Sequence, residues 1–509
     1  MSEQLPVIIV LAPLFGALVV GLAGPKDHRV CFPAVLASLL VSFCAAIAVA
    51  WHVHTNGVIN YFVGGWESPR GIGIQIRIDQ LNALVLIVIG VVSVLVSIFS
   101  IRPVGDGRAG KTPQFYTLYC LLCVGLFGMT VTGDAFNLFV LVEVSSLTSY
   151  ALIAMGNRPR GTLAAFNYIL MGTVGASFYL LGVGYIYLST GALNMEQIHS
   201  IIAMPEVAQS NSIKVAFIFI LVGVWTKMAF FPLHGWLPNA YSYCPASTSC
   251  LLAPLMTKVS VYVMIRVILS IFGAEWVFGH TGWSNLVVWL GVIAIMAGSI
   301  LALAQRELKK MLCYLIVAEV GYMVGGAWLA DEGNWGLTGA VFHILGDSLM
   351  TLSVFLVASI FAKKIKATRL EDLEGLFKRM PLVMAGFVTA ALALIGVPPT
   401  CGFYSKFYLI RGAMDSGHWE YVIALILSSL VNAVLFFRIF EIAYFGNKPA
   451  ASHGHDEAKQ GGVDDLTLSG QGAPFTFLFP LLTSAALIVI LGIYNGEVVE
   501  FIRIVTAPK

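Results

Sequence analysis

Glu143 lies in an otherwise apolar stretch, Asn137-Leu-Phe-Val-Leu-Val-Glu143, followed closely by Ser145, Ser146 and Ser149. An ionisable group at mid-bilayer depth costs about 3 kcal/mol on insertion scales, so each one kept there asks for a reason. Burial disfavours the charged form of a carboxyl and a neighbouring cation favours it, and a site held between the two can exchange protons. The plainer use of Glu143 is a structural ion pair between two helices. Lys227 closes the apolar run 217–226 and is followed by Met-Ala-Phe-Phe-Pro232-Leu-His234. A proline one turn beyond a buried lysine frees backbone carbonyls and marks a broken helix, which membrane depth tolerates only inside protein or beside water. Burial favours the neutral form of a lysine and so makes proton release feasible; a lysine snorkelling from a helix end is the bland alternative.

Lys258 sits deep in its own apolar segment, and Arg266, at the end of that segment, reads as an interface anchor. Lys406 follows Gly396-Val-Pro398-Pro399-Thr-Cys, a second proline-broken helix bearing a lysine. Two broken segments in corresponding positions point to a transporter's internal repeat. His343 and Asp347 are four residues apart and face one side of a helix. Histidine is the natural relay near neutral pH, although a lone membrane histidine is often only a helix contact. Glu319 lies inside another apolar segment, and His234 follows the first break.

The elements that position these residues follow from composition. Of 509 residues, 58% are hydrophobic and 11% charged, against roughly 25% charged in soluble domains. Such a chain must face lipid. Apolar runs suggest about fourteen spans, near 5–24, 30–51, 79–101, 113–132, 135–155, 162–189, 212–231, 241–272, 284–305, 310–329, 335–362, 381–414, 418–446 and 473–496. The alternation in 72–77 reads as part of a surface hairpin. The segment 447–472, with His453 and His455, reads as a flexible polar loop. Lys and Arg concentrate in odd-numbered loops, which puts those loops in the cytoplasm and both termini outside. The N-terminus lacks the positive region and cleavage site of a signal peptide, so the first span is expected to be retained. The Cys120/Cys123 pair, mid-helix and without a nearby histidine, reads as packing. A net charge of +2 without a basic stripe excludes nucleic acid as a partner, and no polar catalytic cluster or haem-type histidine pair marks an enzyme or a metal site.

Five stretches together resemble the proton-translocating membrane family shared by complex I antiporter-like subunits and Mrp-type Na⁺/H⁺ antiporters. They are Gly133-Asp-Ala-Phe-Asn-Leu-Phe139 with Glu143, Lys227-Met-Ala-Phe-Phe-Pro-Leu-His-Gly-Trp-Leu-Pro238, Pro245 to Lys258, Leu308-Lys-Lys-Met-Leu-Cys-Tyr314 to Tyr322, and Gly396-Val-Pro-Pro399 to Lys406. Within that family, Gly64-Gly-Trp66, the segment 134–152 and Gly191-Ala-Leu-Asn-Met195 look most like the D-type subunits of Mrp antiporters. The resemblance implies an all-α polytopic fold with two inverted five-helix repeats, spans 4–8 and 9–13, broken at spans 7 and 12. Segments 1–112, 113–272, 284–446, 447–472 and 473–509 would be the N-terminal helices with the hairpin, the first repeat, the second repeat, a cytoplasmic loop, and the last helix with its tail.

It further implies a proton path from Glu143 and Lys227 through Lys258 and His343 to Lys406, with Glu319, Asp347 and His234 as further candidates and Pro232, Pro398 and Pro399 at the helix breaks. The expected protein is a subunit of a multisubunit Na⁺ or K⁺/proton antiporter in a bacterial cytoplasmic membrane, working beside other membrane subunits without a cofactor. The alternative is a proton-pumping subunit of a complex I-like or membrane-hydrogenase complex. One departure stands out: the family's usual His-x-x-x-His-x-x-x-Lys in span eleven reads His343, Asp347 and Thr351 here, which predicts a central relay that runs partly on carboxylates.

Overall fold

Helices long enough to cross a bilayer satisfy every backbone group internally, and this chain forms little else. The computed structural model describes residues 4–66, 73–101, 110–156, 159–445 and 473–506. Among them, thirteen helices are long and apolar enough to span a membrane. In chain order these are α1 (Leu5–Ala23), α2 (Cys31–Asn56), α3 (Gln80–Phe99), α4 (Thr112–Val131), α5 (Ala135–Ala154), α6 (Pro159–Thr190) and α7a (Asn211–Met228). They continue as α8 (Ala246–Phe272), α9 (Ser284–Leu303), α10 (Leu308–Ala327), α11 (Trp335–Lys364), α13 (Trp419–Phe445) and α14 (Phe475–Ile493). A further crossing consists of two 15-residue pieces, α12a (Pro381–Ile395) and α12b (Cys401–Asp415). The chain is therefore a multi-pass membrane protein, and with the broken pair its described residues supply the about fourteen crossings expected. The expected start of the eighth span at 241 moves to Ala246, because Leu237–Tyr243 forms a separate helix, α7b, beyond the break in the seventh.

Both breaks have local causes. Helix α7a ends at Ala229, which takes the left-handed conformation at φ 59°, and Pro232 cannot continue a helix. Helix α12a ends at Gly396, left-handed at φ 95°, ahead of Pro398 and Pro399. Elsewhere acidic caps start the helices: Asp134 accepts from the Asn137 amide at 2.7 Å to open α5, and Asp79 forms a reciprocal capping box with Asn82 to open α3.

Burial sorts the helices. The most apolar window of α11 is wholly buried and those of α8 and α10 nearly so, whereas α1 and α2 bury only a third of theirs. Helix α6 presents Leu163, Phe166 and Leu170 outward. The charged residues at mid-span thus concentrate on the interior helices. The hairpin forms as β1 (Ile59–Phe62) paired antiparallel with β2 (Gln75–Ile78), Ile59 opposite Ile78. Two short amphipathic helices were not expected: Met195–Ile202, and Asn495–Thr506, which packs against α3 and α11 where a tail was foreseen. The loop at 447–472, with His453 and His455, lies outside the described residues.

Candidate functional site

Lys227 occupies the last turn of α7a, and its ammonium is met by α5. Its Nζ lies 3.2 Å from Glu143 Oε1, 2.8 Å from Ser146 Oγ and 3.4 Å from the Tyr150 hydroxyl. The three partners recur at helical spacing along one face of α5. Ser145 and Ser149 bond instead to carbonyls of their own helix. Lys227 is buried and Glu143 half-buried. Gly172 of α6 makes room for the arrangement, since a Cβ there would lie 1.8 Å from the Tyr150 hydroxyl. At the break the Thr226 carbonyl accepts from the Ala229 amide at 3.3 Å and from the Trp236 indole at 3.0 Å. Pro232 follows the break, and His234 lies apart from Lys227: it is half-buried, stacks on Phe231 at 5.2 Å, and its Nδ1 has no hydrogen-bond partner.

Between Lys227 and α8 lies a cavity of about 20 Å³ bordered by both Lys227 and Ser260, enough for one water. Two residues before Ser260, Lys258 enters the centre of the molecule. Its Nζ lies 2.9 Å from Asp347 Oδ2 and donates to the Thr351 hydroxyl at 3.1 Å, and that hydroxyl donates to Asp347 Oδ1 at 2.7 Å. The direct contact with Oδ2 is at ion-pair distance but off the hydrogen-bond axis, so Thr351 carries the directional link. Lys258 is 1% and Asp347 0% accessible. Glu319 of α10 is buried in the same interior, close to the Asp347 carboxyl.

One turn before Asp347, His343 offers Nδ1 to the Ser405 hydroxyl at 2.9 Å, and its ring packs edge-on against Tyr322 at 5.4 Å. Ser405 adjoins Lys406 on α12b. Lys406 reaches back across the break: its Nζ donates to the carbonyls of Leu394 at 2.8 Å and Ile395 at 3.1 Å, and to Ser429 at 2.8 Å. It also stands 5.5 Å from the Tyr322 ring centre. Gly396 is required here, because it holds a positive φ and a Cβ on it would press the Lys406 Cδ at 3.2 Å.

Taken together, Glu143 meets Lys227, and Lys258 meets Asp347 and Thr351, while His343 and Lys406 flank Ser405. One expectation fails. Arg266 is not an interface anchor: it is buried, ion-paired to Asp79 through two contacts, one at 2.7 Å, and its Nε donates to the Tyr262 hydroxyl at 3.0 Å. Asp79 was readable only as a helix start, so nothing in the sequence announced this pair.

Over residues 132–431 the chain matches the model of the NADH:quinone oxidoreductase/Mrp antiporter transmembrane family. It belongs to that family. It is 38% identical to NADH-quinone oxidoreductase subunit N of Desulforudis audaxviator (strain MP104C), over 98% of both chains. With the Na(+)/H(+) antiporter D-type subunit of Bacillus subtilis (strain 168) it shares 31% identity, over 80% of both. Among solved structures it is similar to a chain of the Mrp complex from Dietzia sp. DQ12-45-1b, with a TM-score of 0.85 and 25% identity, covering 98% of this chain and 96% of that one.

Proposed function

We propose that this chain is the proton-translocating membrane subunit of a multisubunit monovalent-cation/proton antiporter. The observation that carries the reading is the row of buried ionisable groups on adjacent helices: Glu143–Lys227, then Lys258–Thr351–Asp347–Glu319, then His343–Ser405–Lys406. Each was kept at a cost of about 3 kcal/mol or more in a setting that favours hydrocarbon. In our reading a proton on Glu143 weakens its hold on Lys227. The released charge passes by way of water and Ser260 to Lys258, moves over the Asp347 and Glu319 carboxyls to His343, and leaves through Lys406. Asp347 and Thr351 would replace the relay's usual second histidine and lysine.

The paired breaks at α7 and α12 support two inverted repeats, 113–272 and 284–446. The distribution of Lys and Arg supports cytoplasmic odd-numbered loops and outer termini in a cytoplasmic membrane. Multisubunit assembly is supported by the likeness to a chain of the Mrp complex. A redox-driven complex is the second reading, favoured by the 38% identity to a quinone oxidoreductase subunit over 98% of the chain.

Proton movement in vesicles bearing the intact complex tests both readings. On the antiporter reading, added Na⁺ or K⁺ drives proton exchange, and Lys227→Ala abolishes it. Exchange that ignores the cation but follows an electron donor would select the redox reading. Wild-type rates in Lys227→Ala would remove the proposed path from both.

A further inference from the structure

One cavity with a charged lining plays no part in the row above. It has a volume of about 790 Å³ and opens where the ends of α5, α7b, α9 and α11 meet the starts of α6, α8 and α10. Ligand pockets fall in roughly the same range, 300–1,000 Å³. Arg160, Lys309 and Lys366 line it against one carboxylate, Glu307, together with Lys363, whose ammonium lies over the Phe99 ring at 4.9 Å and the Phe477 ring at 5.4 Å. That carboxylate is already engaged, with Oε2 3.6 Å from Lys310. Among the described residues, no carboxylate lies within 4 Å of the charged groups of Arg160, Lys309 or Lys366.

A tendency for basic residues to gather at cytoplasmic helix ends explains their presence here but not their arrangement. Arg160, Lys309 and Lys363 come from three helices and Lys366 from the segment just after α11, and all four border one open cavity; Arg160 and Lys366 are exposed, and Lys309 is half-buried. Lys309 is steered by its bond to Ser249 at 3.1 Å, and Arg160 leans over the Tyr243 ring at 5.9 Å. Lys366 holds a positive φ of 55°, a conformation that is strained for a non-glycine residue and that recurs at ligand clamps. Helix α6, which brings Arg160, leaves Leu163, Phe166 and Leu170 exposed on its outer face beyond the cavity.

We propose that this cavity is a binding site for a phosphate-bearing anion. Basic pockets between transmembrane helices on this side of a membrane hold anionic headgroups, and Lys and Arg supply charge-assisted hydrogen bonds to phosphate oxygens. An anionic phospholipid and free phosphate share that chemistry. The site does not rest on the transport reading, and its test does not read transport.

The experiment is native mass spectrometry of the full-length chain, delipidated and then offered phosphatidylglycerol or phosphatidylcholine. Phosphatidylglycerol should be retained preferentially. Substituting Lys309→Gln and Lys366→Gln together should weaken its retention about thirtyfold, from the contribution of two basic groups, while Lys309→Arg with Lys366→Arg keeps it. Competition by inorganic phosphate would show that the phosphate alone is read; retention that resists it would assign the site to lipid. Equal retention of the two lipids, or unchanged retention in the Gln variant, overturns the proposal. Should the Gln variant fail to fold, the wild-type preference must still weaken with rising salt, and a preference indifferent to salt overturns it equally.

Discussion

The breaks in α7 and α12 use the same backbone device and surround their lysines differently. In each, a half-helix ends in a left-handed residue, Ala229 or Gly396, with proline close behind. Lys227 precedes its break and turns to the Glu143 carboxylate on a neighbouring helix. Lys406 follows its break and turns back to the carbonyl end of its own crossing, with no carboxylate within 4 Å among the described residues. A carboxylate can lose its charge to a single proton, whereas the negative end of a helix cannot. The field on Lys227 can therefore be reset, while that on Lys406 is fixed by the fold. On the proposed path, two sites built alike in backbone would serve differently, the first as a switch and the second as a point of exit set in a constant field.

The strongest way to break this comparison is through the pair that joins the halves. Removing one partner of a buried ion pair leaves an uncompensated charge and costs about 3–5 kcal/mol. Asp347→Ala should lower the stability of the full-length chain in micelles by that amount, read from its unfolding transition. Replacing both partners, Lys258→Met with Asp347→Leu, should recover most of the stability without restoring transport. A loss below about 1 kcal/mol in Asp347→Ala would mean that Glu319 takes over as counter-ion to Lys258.

A smaller effect sharpens the contrast between the two lysines. Hydrogen bonds to charged groups contribute about 1.5–3 kcal/mol, so Glu143→Gln should slow transport by the complex at least about tenfold. Ser429→Ala removes one of three partners of Lys406 and leaves the two carbonyls, whose field no proton can cancel, so it should slow transport less than Glu143→Gln does. Equal losses in the two variants would contradict the division into a switchable and a fixed site.

Much of this was legible in the sequence because two signals are one-dimensional. Apolar length gave the crossings, and a charge inside an apolar run announced Glu143, Lys227, Lys258 and Lys406 by its cost alone. Proline after lysine gave the first break, and a proline pair ahead of lysine gave the second. The partners were not legible in the same way. Which serine faces Lys227 depends on the rotation of α5 against α7a, and Ser146 is distinguished from Ser145 and Ser149 only by that rotation. The bonds of Lys406 to Leu394 and Ile395 run to backbone, which carries no sequence signature. His234 looked poised beside a break, yet the turn that follows Pro232 swings its ring onto Phe231. The helix Asn495–Thr506 could have been found, since Val499, Ile502 and Thr506 recur at helical spacing. Its interspersed charges made it read as a tail.

The smallest effect tests whether the two breaks are equivalent in backbone. A residue with a Cβ pays about 1–2 kcal/mol to adopt the left-handed conformation, and glycine loses about 0.5–1 kcal/mol more backbone entropy on folding than alanine. At φ 59° Ala229 carries the first cost, so Ala229→Gly should leave stability unchanged or raise it by up to about 1 kcal/mol. Gly396→Ala incurs that same cost at φ 95° and also sets a methyl 3.2 Å from the Lys406 side chain. It should lower stability by about 1–2 kcal/mol and disturb transport, because the crowded methylene leads directly to the ammonium. Melting transitions of the two variants should therefore move in opposite directions, or only the second should move. Destabilisation of similar size in both would mean that Ala229 is held by packing of its methyl, and that the first break is fixed by its surroundings where the second is fixed by its glycine.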